Sequence, residues 1–178
     1  MSQITIDQAK FLLAGIISHV KAEHQTTMRV IEAIPAENSD YRPDPSAKTA
    51  LELAWHIVAS EKRFCNAVKA GAFDFTALPR PETVRNGAEI AAWSEANFSE
   101  DLKALEGLSG EQLVKIVDFR GMFQRPAFSY LQVMLNHTIH HRGQLSTYLR
   151  PMGGKVPSIY GESYDAAQAR LAREAKAS

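Results

Sequence analysis

The chain has 178 residues, of which 45% are hydrophobic and 22% are charged, a composition typical of one folded domain rather than of a disordered chain. Twenty basic residues balance twenty acidic ones, so the positive field by which nucleic-acid-binding proteins attract their ligand is absent. A single cysteine excludes an internal disulfide, and no apolar run approaches the ~20 residues of a membrane-spanning helix, so we expect a cytoplasmic protein without nucleic-acid or membrane partners.

The first half of the chain contains two segments with the spacing of amphipathic helices. Apolar residues recur at helical spacing over residues 6–34, which predicts a long first helix. After a proline-containing loop, Ser46 opens a second helical pattern, in which Thr49 and Glu52 have the spacing of a capping box. Gly71 stands where a glycine commonly ends a helix.

The second half adds two further helical segments with a different pattern between them. A helical stripe over residues 87–108 predicts a third helix. The apolar residues around Gly121 favour a small hairpin rather than a helix. Ser129 and Gln132 have capping spacing and predict the start of a fourth helix, which continues until Pro151.

Four long amphipathic segments predict an all-α four-helix bundle, with the small hairpin before the last long helix. We expect residues 1–165 to form this single domain. Residues 166–178 are rich in alanine and charged residues, which predicts a surface or frayed tail. In bundles of this kind, ligand sites are built from side chains that face one another from different helices.

Histidines provide the pattern with the clearest chemical meaning. His137 and His141 are four residues apart, about 40° around a helix, so both imidazoles can point towards one metal ion. His140 points away from both on the same arithmetic. Because two ligands hold an ion loosely, a third must come from another helix, and His56 lies at a comparable depth in the second one. The ordinary alternative is a hydrogen-bonded histidine pair on a half-buried face.

The metal and the purpose of such a site remain open at this point. Neutral imidazole suits Zn²⁺ or Ni²⁺, with Fe²⁺ as a further candidate. An open fourth coordination position would support an enzyme, whereas a fourth protein ligand, such as His19 or His24, would support a structural ion. These two histidines are five residues apart, about 140° around the helix, and cannot chelate together. Protons compete with the metal for the imidazole nitrogens, whose ordinary pKa is about 6.5. We therefore expect metal occupancy to decrease steeply when the pH is lowered below about 6.

Several segments of the chain resemble the DinB family. The clearest are LELAWHI at residues 51–57, NHTIHHRGQ at residues 136–144 and PSIYG at residues 157–161. The resemblance extends over residues 12–160, and it is specific because three histidines occur in order on the expected helices.

This resemblance implies a DinB/YfiT-like four-helix bundle, often assembled as a homodimer. The family's metal-binding histidines correspond to His56, His137 and His141, while His140 receives no ligand role. Some relatives are thiol-dependent S-transferases or isomerases that use a low-molecular-weight thiol of the cytosol. The family name refers to expression induced by DNA damage, a stress response, and implies no chemistry on DNA.

Together, the histidine pattern and the resemblance favour a metal-dependent enzyme acting on a small-molecule substrate. Thiol transfer or isomerisation is the first reaction class, and hydrolysis is the second. The alternative is a non-catalytic metal-binding stress-response protein with a structural or inactive site. No catalytic residue is assigned, although Glu52 and Glu61 are the carboxylates nearest to His56 in sequence. We expect Arg142 to form a packing ion pair with a carboxylate such as one of these two, with substrate orientation as its second role.

Overall fold

A computed structural model of the protein describes residues 4–177 as an all-α four-helix bundle with a small hairpin, which confirms the predicted fold class. Its elements are α1 (Ile6–Glu32), a 3₁₀ turn (Ala36–Asn38), α2 (Ala50–Ala70), α3 (Gly87–Glu106), α4 (Gly110–Val114), β1 (Ile116–Phe119), β2 (Phe123–Pro126), α5 (Ser129–Leu149) and α6 (Tyr164–Ala177). Helix α2 packs on α3 and α5, and α1 packs on the same two helices. Within the described range, no helix is long and apolar enough to cross a membrane.

Local sequence signals explain where α2 begins and ends. The Thr49 side chain accepts a hydrogen bond from the backbone of Glu52, whose carboxylate accepts one from the Thr49 N–H in return. Gly71 ends the helix with a φ of 66°, a left-handed conformation that favours glycine. The predicted start at Ser46 is wrong, because its N–H is bound by the Asp44 side chain in a turn.

The segment between α3 and α5 forms the predicted hairpin and one element that was not predicted. Strands β1 and β2 pair antiparallel, and Gly121 occupies the turn with a φ of 70°. The short helix α4 precedes them. The predicted capping by Ser129 is wrong, because the N-cap residue is Phe128 and the Ser129 hydroxyl donates to the Pro126 carbonyl instead. In the first turn of α5, the Tyr130 N–H donates to the Ala127 carbonyl and the Leu131 N–H to the Phe128 carbonyl, each at 3.1 Å.

A buried polar layer divides the core of the bundle into two apolar clusters. Along α2 the layer lies between Ala59 and Phe64, and along α5 it lies between Leu135 and Leu145. Its buried members are Glu23, His24, Thr27, Ser60, Glu61, Ser94, Thr138 and Arg142. Buried polar groups cost free energy unless they are hydrogen-bonded, so the contacts within this layer decide whether the bundle tolerates it.

The segment predicted as a surface tail begins with a helix rather than an irregular chain. None of the described side chains of α6 is buried. The Asp165 carboxylate at its start accepts hydrogen bonds from the Val156 N–H at 2.9 Å and from Arg150 Nε at 3.0 Å. These contacts attach the first turn of α6 to the loop that follows α5.

Candidate metal centre

Three imidazoles from two helices converge at the side of the bundle. His56 comes from α2, while His137 and His141 lie one turn apart on α5. The Nε2 atom of His56 lies 3.2 Å from His137 Nε2 and 3.3 Å from His141 Nε2. His140 is exposed and does not join the group. The structure therefore brings together the three histidines that the sequence singled out and leaves out the fourth.

The spacing of these nitrogens suits a tetrahedral ion. Two ligand nitrogens at ~2.0–2.1 Å from a tetrahedral Zn²⁺ are separated by ~3.3 Å. A ring with its proton on Nε2 can donate to its neighbours at this spacing, but three rings with their protons on Nδ1 present Nε2 lone pairs to the same point without a donor between them. A cation between the lone pairs removes this conflict. The donor set of three half-buried imidazoles thus fits a divalent metal.

Residues behind His141 orient its ring. His141 Nδ1 lies 3.0 Å from Gln144 Oε1, and Gln144 Nε2 donates to the Tyr148 hydroxyl at 3.1 Å. The amide oxygen can only accept, so the proton lies on Nδ1 and the Nε2 lone pair faces the other histidines. His137 Nδ1, by contrast, is buried without a hydrogen-bond partner in the described part of the chain. Gln144 therefore supports one of the three rings.

The surroundings of the rings favour their neutral, metal-binding form. Burial lowers the pKa of His56 to about 4, and repulsion from Lys48, from Arg63 and from His141 in its protonated form acts in the same direction. Burial likewise lowers the pKa of His137 to about 4, again assisted by nearby positive charge. Both rings are therefore neutral at pH 7.

These pKa values change the predicted pH dependence of metal binding. A lowered imidazole pKa means that protons displace the ion only at lower pH, so we expect occupancy to persist through pH 6 and to fall as the pH approaches about 4. The sequence alone predicted that metal would be lost below about pH 6, because it used the ordinary imidazole pKa and could not include the effect of burial on the rings. Zinc content after equilibrium dialysis at fixed free zinc, from pH 4 to pH 8, measures the dependence. Loss of half the metal at pH 6 or above would contradict it.

No fourth ligand approaches the three histidines from the other candidate positions. Within residues 4–177, no further histidine, cysteine, aspartate or glutamate joins the group. His24 is buried, with Nδ1 3.1 Å from Glu61 Oε2 and its ring stacked on Phe98 at 3.6 Å. His19 is exposed, and its Nε2 lies 3.7 Å from a Glu23 oxygen. Neither histidine therefore closes the site.

The two carboxylates nearest to His56 in sequence are engaged elsewhere. Glu61 belongs to the polar layer, where it also accepts a hydrogen bond from the Thr138 hydroxyl at 3.3 Å. Glu52 is exposed and caps α2, and its hydrogen bonds with Thr49 lower the pKa of its carboxyl group. Glu61 is thus directed into the polar layer, and Glu52, one turn before His56, is held in the cap of α2.

Arg142 forms the predicted packing ion pair, but with a carboxylate that the sequence did not indicate. Its Nη1 donates to Glu23 Oε2 at 2.5 Å, not to Glu52 or Glu61. Its Nη2 donates to the Tyr160 hydroxyl at 2.5 Å, and that hydroxyl donates to Glu23 Oε2 at 3.0 Å. Because Arg142 is 1% exposed, this network is structural and joins α1, α5 and the segment after α5.

A cavity of about 580 Å³ opens beside His56, and its lining includes cationic residues that the sequence analysis did not identify. We call it the His56 cavity. Its cationic residues are Arg42, Lys48, Arg63 and Arg80. Arg63 was detectable, because it follows His56 by seven residues, about two turns, and so lies on the same face of α2. The other three lie on loops, where no periodicity assigns a direction.

Comparisons with known proteins agree with this fold. The model of the DinB family matches residues 1–175 of the chain. The uncharacterized proteins YjoA and YrdA of Bacillus subtilis (strain 168) are 29% and 27% identical to it over 140 and 143 residues, covering 78% of this chain in each case and 89% and 82% of theirs.

Two solved structures are also similar. The crystal structure of the DinB-like protein YjoA from Bacillus subtilis aligns with a TM-score of 0.67 and 26% identity over 84% of this chain and 99% of its own. The crystal structure of a DinB-like protein from Bacillus cereus ATCC 10987 aligns with a TM-score of 0.69 and 25% identity, over 83% of this chain and 97% of its own. Both relatives therefore match this chain over nearly their whole length.

Proposed function

Since the chain belongs to the DinB family, we propose that it is a divalent-metal-dependent enzyme that acts on a small molecule at His56, His137 and His141. The observation that carries the proposal is the convergence of three Nε2 atoms, without a fourth protein ligand among residues 4–177, at a histidine that also lines an open cavity, His56. Catalytic metal sites commonly have three protein ligands and one open position. Zn²⁺ or Ni²⁺ is the favoured ion, with Fe²⁺ as the further candidate.

A divalent ion held by three neutral imidazoles keeps its full charge and can lower the pKa of a bound water or thiol towards neutrality. The roles of the protein residues follow from their contacts. The three histidines hold the ion, Gln144 keeps the His141 ring in the productive tautomer, and the His56 cavity admits the substrate. The reaction class that we propose is transfer of a low-molecular-weight thiol or a thiol-dependent isomerisation, with hydrolysis as the second class.

One observation favours a second candidate, a non-catalytic metal-binding protein of the stress response. Glu61 is bound within the polar layer, and Glu52, although it lines the His56 cavity, is held in the cap of α2. A hydrolase normally requires a group that moves the proton of the attacking water. Thiol chemistry depends less on such a base, because a thiol ionises closer to neutral pH.

The test is to purify the chain without an affinity tag, measure its metal content, and screen the protein with small thiols, electrophiles and hydrolysable esters. We expect about one ion per chain, which three ligands at one point imply. Turnover should disappear when the ion is chelated and return when it is added back. Metal binding without turnover of any substrate class would favour the second candidate.

Chelation at neutral pH also separates a functional ion from a structural one. We expect the far-ultraviolet circular dichroism to persist, because the two apolar clusters form a core that does not depend on the ion. A zinc finger behaves in the opposite way, since its fold depends on its metal. Collapse of the helical signal on chelation would identify the ion as structural.

A further inference from the structure

The His56 cavity has a strongly one-sided charge. Four cationic residues line it, and the only carboxylate among its lining residues is Glu52. Helix α2 contributes Arg63, and the loops before and after this helix contribute the other cations. A cleft lined by charge of one sign concentrates ligands of the opposite sign. Because the whole chain has no net charge, this excess is local to the cavity.

Most of these cations lack a carboxylate partner. Arg63 Nη2 donates only to the Thr76 carbonyl at 3.3 Å, and Arg80 Nη1 donates only to the Val84 carbonyl at 2.6 Å. Within residues 4–177, neither guanidinium and no Lys48 nitrogen lies within 4.0 Å of a carboxylate oxygen. Further donor N–H groups of both arginines are therefore available to a ligand.

The fourth cation and the nearest loop carboxylate do not alter this balance. Arg42 Nη2 lies 3.9 Å from a Glu52 oxygen, at the outer limit of an ion pair. The Asp74 carboxylate accepts a hydrogen bond from the Thr76 N–H at 2.8 Å, and the charge of Arg63 stabilises it from beyond ion-pair distance. The positive charge of the cavity thus remains largely uncompensated by the protein.

The cavity also has an apolar wall beside its charges. The indole of Trp55 belongs to the lining, and its only polar atom, Nε1, donates to the Leu78 carbonyl at 2.9 Å. Trp55 is 9% exposed and packs against Trp93, so the apolar surface that its ring offers to a ligand is small. At about 580 Å³, the cavity lies in the range of ~300–1,000 Å³ that is typical of small-molecule sites.

We propose that the His56 cavity recognises a small organic anion and that Arg63 and Arg80 bind its carboxylate or phosphate group. This inference rests on the proposed function, because the anion is the substrate that is presented to the three histidines. Guanidinium groups bind carboxylate and phosphate through paired hydrogen bonds, which fix orientation as well as affinity. Arg63 and Arg80 are therefore specificity-determining residues.

The experiment measures anion binding to the full-length, zinc-loaded chain at low ionic strength. Succinate and inorganic phosphate are the two probes, and the uncharged succinamide is the control for shape. Calorimetry gives the affinity, and the combined fluorescence of Trp55, which lines the cavity, and Trp93, whose ring centroid lies 4.8 Å from that of Trp55, gives a second binding signal. The variants are Arg63→Gln and Arg80→Gln. Arg85→Gln is the matched control, since this exposed arginine is on the same loop as Arg80 and does not line the cavity.

We expect saturable binding of at least one anion, and we expect each cavity variant to weaken it about tenfold, the loss of one charge-assisted hydrogen bond. Arg85→Gln and the wild type should agree within about twofold, and added sodium chloride should weaken binding to both by screening. Succinate binding assigns a carboxylate ligand, and phosphate binding assigns a phosphoryl ligand. Equal affinity of succinamide, no saturable anion binding, or anion binding that is unaffected by both cavity substitutions would overturn the proposal.

Metal content separates this inference from the proposed function. Arg63 and Arg80 do not belong to the histidine group, so their variants should retain the zinc content of the wild type. A wild type that binds an anion through these arginines but binds no metal would contradict the proposed function alone. A wild type that binds metal but no anion would contradict this inference alone.

Discussion

Replacement of His137 by alanine is expected to abolish stoichiometric zinc binding. His137 supplies one of the three converging Nε2 atoms and lies 3.2 Å from His56 Nε2. Without it, the two remaining imidazoles hold an ion only loosely. The loss of affinity should exceed the ~10–100-fold that is typical when an outer partner of a metal ligand is removed. Titration of the metal-free variant against a chromophoric chelator measures it. Circular dichroism verifies that the variant is folded.

His140→Ala is the matched control for this experiment, because His140 lies on the same helix, three residues further along, and is exposed. Its zinc affinity should remain close to that of the wild type. Equal losses in the two variants would show that the wrong histidines have been assigned. Gln144→Ala should fall between them, with a loss of ~10–100-fold, since it removes the hydrogen bond that orients His141.

Replacement of Arg142 by methionine is expected to cost about 3–5 kcal/mol of unfolding free energy, the range for breaking a buried ion pair on one side. Glu23 is only 6% exposed, and the substitution removes the guanidinium group that its carboxylate binds. The carboxylate of Glu23 would keep the hydrogen bond that it accepts from the Tyr160 hydroxyl. Urea unfolding at pH 7, followed by circular dichroism, measures the change.

Two further variants define the cause of this loss. The double variant Arg142→Met with Glu23→Leu should recover most of the stability, because it removes both buried charges together. Arg170→Met on α6 should change the unfolding free energy by less than ~1 kcal/mol, because its ion pairs with Glu162 and Glu174 are exposed. A double variant no more stable than Arg142→Met would attribute the loss to packing rather than to an unpaired charge.

The polar layer relates these two predictions to each other. Thr138 directly follows His137 and Arg142 directly follows His141 on α5, so the same stretch of helix directs two histidines to the metal centre and two buried polar groups to the layer. Thr138 donates to Glu61, and Arg142 pairs with Glu23. The layer therefore anchors the helix segment that carries the histidine pair. Variants within the layer should be tested for both stability and metal affinity.

Features that depend on neighbouring residues along the chain followed from the sequence alone. Apolar periodicity located the four long helices, and the spacing of Thr49 and Glu52 indicated the capping box at α2, although the helix was predicted to begin at Ser46. The proximity of His137 and His141 has the same origin, because four residues in a helix always return to nearly the same face. The choice of His56 as their companion relied in addition on the resemblance to the DinB family, since it joins residues 81 and 85 positions apart.

Features that depend on how the helices pack were decided only by the tertiary structure. The pairing of Arg142 with Glu23 spans 119 residues, and no local pattern distinguishes Glu23 from Glu52 or Glu61. The lowered pKa values of His56 and His137 likewise require the burial that packing creates. The cationic lining of the His56 cavity combines one helix face with loops whose side chains follow no period. Periodicity determines which face a residue occupies, but the rotation and depth of one helix against another determine what that face contacts, and those depend on the packing of the whole core.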